Sequence, residues 1–304
     1  MTSRAALVER GKVTVDASLA PLTTYKLGGP ARYLVVVDDE DDLRLASGLA
    51  SEEGLPLVTL GRGSNMVVAD VGFPGVVVRP GPGLSWWEAA GDDAIRAGSG
   101  MPLPLLARET GRAGLGGLEF FTGIPGSVGG AVRMNAGCHG SEVADWLVEA
   151  RVMDLGTGEV SERTPTDLEM SYRHSSLTDD HFVVSARFRT IARDPSDAEE
   201  AIREITRWRR EHQPGGTLNA GSVFKNPPGD SAGRVIDAAG LKGLRIGGAQ
   251  VSERHANFFI AHDGATASDL HRLVIEVQRR ILDEVGVELV PEIRFLGEFH
   301  DRTA

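Results

Sequence analysis

The segment Gly123-Ile124-Pro125-Gly126-Ser127-Val128-Gly129-Gly130 puts four glycines and a proline into eight residues. Glycine gives up the most backbone freedom on ordering, and proline interrupts both helix and sheet ladders. The stretch therefore forces a long loop into the middle of the chain, beside Phe120-Phe121. A shorter turn, Gly61-Arg62-Gly63-Ser64-Asn65, follows an apolar run. Without a Cβ, backbone N–H groups can converge on an anion, and positive φ is cheap. A diphosphate needs several such donors, and two loops can grip it from two sides. Glycine is abundant throughout, 38 of 304 residues against a usual ~7%, and the excess gathers in such clusters.

Neither loop is a familiar nucleotide fingerprint. No Gly-Lys-Ser/Thr follows either one, and the first strand-to-helix turn lacks G-x-G-x-x-G. The formal net charge of −11 argues against nucleic acid and anionic membrane as partners. A single cysteine, Cys138, excludes an internal disulfide and cysteine-cluster metal sites. His174, His255 and His262 lack metal-ligand spacing and read as structural, so no metal is expected. The start, MTSRAALVERGK, has no apolar signal core, and no apolar run approaches the ~18 residues of a span. A cytoplasmic setting without membrane insertion is the expectation.

Periodicity gives the elements. ARYLVVV, PLVTL, MVVAD and GVVVRP read as strands, and DDEDDLRLASGLASEEG as a helix stopped by glycine; together they predict a small sheet with one covering helix. MPLPLLARETG suggests a short helix, and WLVEARVMDL and HFVVSARFRT suggest strands. PSDAEEAIREITRWRREHQ has acids first and arginines last, as a helix prefers. SAGRVIDAAGLKG reads as a short helix, ANFFIAHDG as strand and turn, and TLNAGSVFKNP as a loop with strand character. In TASDLHRLVIEVQRRILDEVG, Leu270, Leu273, Val274, Val277 and Ile281 mark one helical face. VELVPEIRFLG reads as a closing strand.

Six motifs carry a resemblance to a known family. LEFFTGIPGSVGGAVRMNAGCHG resembles the FAD-binding signature of the UDP-N-acetylenolpyruvoylglucosamine reductase family. TTYKLGGPARYLV and LGRGSNMVVAD resemble its N-terminal FAD segments. SYRHSSL, NAGSVFKNP and PEIRFLGE resemble its three active-site segments, in the family's order. The resemblance runs from about residue 22 to residue 298. It implies an α+β chain with a vanillyl-alcohol-oxidase/PCMH-type FAD-binding fold of two α/β subdomains plus a third α+β substrate-binding domain. The boundaries expected are 1–80 with the C-terminal strand 291–304, then 81–194, then 195–290. FAD held non-covalently, NADPH as hydride donor, a small-molecule UDP-sugar as substrate and a monomeric state are implied too. Two features depart from the commoner pattern. The spacing from Tyr172-Arg173 to Ser222 is short, similar to the subtype lacking a substrate-covering loop. Arg133 stands where an aromatic is expected.

The implied reaction delivers hydride from flavin N5 to an enolpyruvyl ether, then a proton to the carbon bearing the carboxylate, giving UDP-N-acetylmuramate for peptidoglycan precursor synthesis. Charge develops on that carboxylate, so a donor or cation must await it, and an acid must stand within about 3 Å of the carbon. The resemblance assigns Arg173 to the carboxylate, Ser222 to the proton and Glu292 to the enolate. A guanidinium fork matches a carboxylate in bidentate fashion. The cofactor-binding residues implied are Gly61, Arg62, Gly63, Ser64 and Asn65, with Thr122, Gly123, Ile124, Pro125, Gly126, Ser127, Gly129, Gly130 and Ala131. Tyr172, Arg209, Lys225 and Asn226 are expected at the substrate; Arg210 is an alternative to Arg209. Two other readings use parts of the pattern: a flavin oxidase of alcohols or sugars, and a non-catalytic UDP-sugar-binding protein.

Overall fold

A computed structural model of the chain describes residues 1–299. Residues 300–304 of the expected C-terminal strand segment lie outside the described residues. The chain packs into two compact units. The first comprises Met1–Asp16, Arg32–Arg62 and Gly75–Trp208; the second comprises Ala17–Ala31, Gly63–Pro74 and the chain from Arg209 onward.

In the first unit, helix Glu40–Glu53 has both ends written locally. The Asp39 side chain accepts from the Asp42 amide, and Gly54 closes the helix at φ 62, as short polar caps and left-handed glycines do. Its buried Leu43, Ala46 and Leu49 pack on Tyr33, Val35, Val37, Val76 and Val78. Those residues belong to a sheet ordered Val13–Ser18, Pro30–Val37, Phe73–Pro80, Leu57–Thr59. A second sheet, antiparallel throughout, runs Val160–Arg163, Leu147–Asp154, His181–Arg189, Ala94–Gly98, Trp87–Ala89. Its alternate side chains face two cores. Met153, Phe182 and Val184 join the core of the first sheet. Val152 and Val183 join another, with Leu103 and Leu106 of helix Leu103–Arg112. That division is the period-two geometry of a strand.

The glycine-dense loop is only partly a loop, because Val128–Met134 is a helix. Two interior glycines cost roughly 1 kcal/mol each against alanine. Packing overrides that cost: Val128 and Val132 are fully buried. Gly129 is needed there, since a Cβ would lie 2.9 Å from Ser99 Cβ.

The second unit centres on helix Ala267–Val285, whose Thr266 and Asp269 form a reciprocal capping box. Asp70 adds a second cap, accepting from the Ala267 and Ser268 amides at 2.8 and 2.9 Å. Leu270, Leu273, Val274, Val277 and Ile281 are all buried, each contributing roughly 1.5–3 kcal/mol of burial. They pack with helix Ala232–Ala238 and the antiparallel strands Ala249–Val251 and Phe259–Ala261. Strand Met66–Val68 does not join the first sheet as the sequence suggests. It pairs in parallel with Arg294–Leu296. The closing strand is also shorter than its pattern implies, because Pro291 has no N–H for a ladder. Pro291 makes only an isolated bridge to Phe224.

Candidate cofactor and active site

The turn after Leu57–Thr59 keeps its amides unspent. The N–H groups of Gly61, Arg62, Gly63, Ser64 and Asn65 donate to no backbone carbonyl among the described residues. Arg62 is exposed, but Gly63 is buried and Gly61, Ser64 and Asn65 are half-buried; amides so placed normally find partners, so the turn offers donors suited to acceptor oxygens. A Cβ on Gly61 would sit 2.9 Å from Ser127 Oγ, so within the first unit the two glycine loops touch. Ser127 is 2% exposed, and its hydroxyl has no hydrogen-bond partner among the described residues. It precedes helix Val128–Met134 without capping it. The amides of Val128 and Gly129 are spent on the Met101 and Ser99 carbonyls. Those of Gly126 and Ser127 donate to no backbone carbonyl among the described residues.

Arg79 is the residue that sequence reasoning missed. Thr59 pairs with Val78, and the Leu60 amide donates to the Val78 carbonyl at 2.8 Å. That register sets Arg79 beside the entrance of the turn. Arg79 is half-buried and has neither ion pair nor hydrogen bond among the described residues. Burial, then the neighbouring Arg62, push its guanidinium below the usual arginine range. An arginine desolvated beside another cation calls for an anion. Within the first unit, the amides of Gly61, Arg62, Gly126 and Ser127, the orphaned Ser127 hydroxyl and Arg79 fit a diphosphate-bearing cofactor.

In the second unit, the rest of that turn is tied to Glu292. Asn65 Nδ2 donates to the Glu292 carbonyl at 2.9 Å, and the Arg294 amide donates to the Asn65 carbonyl at 3.0 Å. The Glu292 amide donates to the Val223 carbonyl at 2.7 Å, so Glu292 and Ser222 lie on paired backbone segments. Asn257, 3% exposed, locks the segment carrying Ser222 by receiving the Phe224 amide at 2.9 Å and donating to its carbonyl at 2.8 Å. Ser222 itself is half-buried, follows Gly221 at φ 75, and its hydroxyl makes no hydrogen bond among the described residues. The Lys225 ammonium likewise has no partner among the described residues. Asn226 Oδ1 accepts from the Ala232 amide at 3.1 Å, which leaves its NH₂ for other work. Arg209 Nε donates to Gln213 at 2.9 Å.

Tyr172 and Arg173, in the first unit, are the two central residues of a tight turn closed by Ser171 and His174. Arg173 sits at φ 54, where a non-glycine residue costs roughly 1–2 kcal/mol. Its Nη2 donates to the Gly137 carbonyl at 2.7 Å, and its guanidinium lies 5.0 Å from the Tyr172 ring centre. Glycine is the usual choice at such a position, and non-glycine residues held in this region cluster at functional sites. Among the described residues no helix is long and apolar enough to cross a membrane, and no His/Cys/Asp/Glu cluster could hold a metal.

The cradle fits a diphosphate-bearing cofactor, and the comparisons with known proteins give the class, an FAD-binding oxidoreductase. Residues 31–163 match the FAD binding domain. Residues 213–296 match the C-terminal domain of UDP-N-acetylenolpyruvoylglucosamine reductase. The reductase of that name from Caulobacter sp. (strain K31) is 45% identical over 297 residues, covering 95% of this chain and 96% of that one. The Rubrobacter xylanophilus reductase is 45% identical over 285 residues, covering 93% and 95%. The crystal structure of the Thermus caldophilus reductase superposes with a TM-score of 0.80 at 37% identity, covering 94% of this chain and 98% of that one. The chain belongs to the UDP-N-acetylenolpyruvoylglucosamine reductase family.

Proposed function

We propose that the protein reduces the enolpyruvyl ether of UDP-N-acetylglucosamine enolpyruvate to UDP-N-acetylmuramate with NADPH, as a cytoplasmic step of peptidoglycan precursor synthesis. When bound, FAD supplies the hydride relay between the two substrates. The unspent amides of Gly61–Asn65, Gly126 and Ser127, the Ser127 hydroxyl, and Arg62 with Arg79 hold its diphosphate. Thr122, Gly123, Ile124, Pro125, Gly129, Gly130 and Ala131 would line that cradle. A three-part organisation, 1–80 with the C-terminal strand, 81–194 and 195–290, belongs to the same reading.

Three residues carry the chemistry of the sugar. The Arg173 guanidinium meets the substrate carboxylate, where negative charge grows in the transition state. Ser222 donates the proton to the carbon bearing that carboxylate. A hydroxyl is a weak acid, yet transfer to a carbanion-like centre is strongly downhill. Glu292, as a protonated or hydrogen-bonded carboxyl, helps stabilise the enolate. Tyr172 packs on the sugar or enolpyruvyl group, and Arg209, Lys225 and Asn226 meet the UDP moiety. The observation that carries this reading is the pairing of the Ser222 and Glu292 segments, with the serine hydroxyl uncommitted. Nothing in an alcohol oxidase would require that pair.

The test is spectroscopic. Purified protein should show a flavin spectrum, bleach anaerobically with NADPH, and regain its colour with the enolpyruvyl UDP-sugar. Ser222→Ala should bleach normally and reoxidise about 10²–10⁴-fold more slowly, the usual worth of a positioned acid. Reoxidation of Ser222→Ala at the unmodified rate would remove Ser222 from the mechanism. Oxygen uptake with sugar alcohols and no turnover of the enolpyruvyl sugar would replace the reading with an oxidase. A colourless protein that binds UDP-sugar would make it a binding protein.

A further inference from the structure

The turn that carries Arg173 is held from below by one short stretch of chain, residues 133–137, all within the first unit. Asn135 ends helix Val128–Met134 in the left-handed conformation, φ 40, and is fully buried. Its two polar side-chain atoms tie together two separate downstream segments. Nδ2 donates to the Ser171 carbonyl at 2.8 Å, and Oδ1 accepts from the Ala144 amide at 2.9 Å. Ser175 Oγ donates to the Arg133 carbonyl at 2.6 Å. The Arg133 guanidinium donates to the Thr178 carbonyl and pairs with Asp179 at 2.9 Å. Arg173 completes the set through Gly137. Residues 133, 135 and 137 thus grip 171, 173, 175, 178 and 179, on both sides of the Tyr172-Arg173 turn.

We propose that Arg133 and Asn135 are positioning residues that fix the direction of the Arg173 guanidinium. The inference rests on the assignment of Arg173 to the substrate carboxylate. Its physical basis is the strained turn. A residue at φ 54 relaxes toward negative φ unless its flanks are pinned, and relaxation swings the side chain away. Asn135 pins the entry at Ser171; Ser175, Thr178 and Asp179 pin the exit. An arginine at 133 suits this task in a way an aromatic does not. It reaches a carbonyl and a carboxylate at once. Its charge is matched by Asp179, so it does not compete with Arg173 for the substrate anion. The same helix begins at Ser127 of the cofactor cradle, so the cradle and the turn of Arg173 share one rigid support.

The experiment uses the FAD-loaded full chain and three variants: Arg133→Met, Arg133→Lys and Ser175→Ala, with Arg173→Ala as reference. Asn135→Ala is included, but its burial threatens folding, so the other variants decide. Anaerobic stopped-flow measures bleaching by NADPH and reoxidation by the enolpyruvyl UDP-sugar separately. Amide exchange of Ser171 and His174 reports the turn itself. For Arg133→Met, reoxidation should fall about 10–100-fold while bleaching stays within about twofold, the cost expected of a misplaced group. The Ser171 and His174 amides should exchange faster. Arg133→Lys, which keeps a charge and donors, should recover most of the rate. Unchanged reoxidation and exchange in Arg133→Met would overturn the proposal. So would an equal loss in both half-reactions, which marks a merely structural role. If Arg173→Ala reoxidises like the parent protein, the assignment of Arg173 falls and the positioning role falls with it. If Arg173→Ala is impaired and Arg133→Met is not, only the positioning role is lost.

Discussion

Replacing Gly63 by alanine tests whether the first glycine turn is shaped by the fold. Gly63 sits at φ 61, and a Cβ there would lie 2.2 Å from the Leu22 carbonyl oxygen and 2.8 Å from Thr23 Cα. Both neighbours are backbone, so neither can swing aside as a side-chain tip could. The approach is fixed by the Thr24 amide, which donates to the Gly63 carbonyl at 3.1 Å. Two costs combine. The left-handed conformation costs an alanine roughly 1–2 kcal/mol, and forcing backbone apart adds about 1–3 kcal/mol of overpacking. Loss of unfolded-chain entropy returns about 0.4–1 kcal/mol. A net destabilisation of about 2–4 kcal/mol follows from these terms. Gly158 is the control, with φ 74 and nothing within 4 Å of the place a Cβ would occupy; Gly158→Ala should lose only about 1 kcal/mol. Urea unfolding of the two variants, with flavin retention on a desalting column, measures the difference. Gly63→Ala should also shed FAD, because the displaced turn no longer aims its amides. Equal stability and equal flavin content in the two variants would refute the argument.

Arg79→Ala should weaken FAD binding about 10–100-fold, the loss expected for a charge-assisted hydrogen bond to phosphate, read by titrating apoprotein with FAD; the deficit should shrink as salt rises. Unaltered affinity would exclude Arg79 from the cradle. His255 gives a pH signature. Burial first, then the charge of Lys242, hold it below the ordinary imidazole value of 6.5, so the folded protein prefers it neutral. The unfolded chain then binds the extra proton first, and stability present above pH 6.5 is lost as pH falls through the lower folded value. Unfolding midpoints of the parent protein should drop more steeply below that pH than those of His255→Phe; parallel profiles would remove His255 as the cause.

Helices with local end signals and a single buried face were legible from sequence. Ala267–Val285 is the clearest case: its apolar stripe, capping residues and closing Gly286 all point to one answer. Helix Val128–Met134 was not, because Gly129 and Gly130 speak against it and only the burial of Val128 and Val132 decides. The N-terminal helix Ser3–Glu9 is also invisible in the pattern. With seven residues it is too short to show a period, and its buried Leu7 joins a core supplied by distant strands. The partner of strand Met66–Val68 lies far along the chain, at Arg294–Leu296, and period-two alternation names a face without naming a partner.

The candidate site divides along the same line. Glycine loops announce themselves, since a residue without a side chain is visible as such and its consequence, exposed amides, is local. Arg79 does not, because GVVVRP looks like any strand end; its meaning comes from the register that sets Val78 against Thr59. Arg133 is subtler still. Read alone it is a mismatch to the expected aromatic. In the fold its guanidinium meets Thr178 and Asp179, five and six residues past Arg173. A departure from a motif can therefore carry a local role of its own: the Arg133 guanidinium pairs with Asp179, a contact no aromatic makes. Asp179→Asn should then matter in this chain and be silent where an aromatic occupies the equivalent place, a contrast that slow flavin reoxidation would register directly.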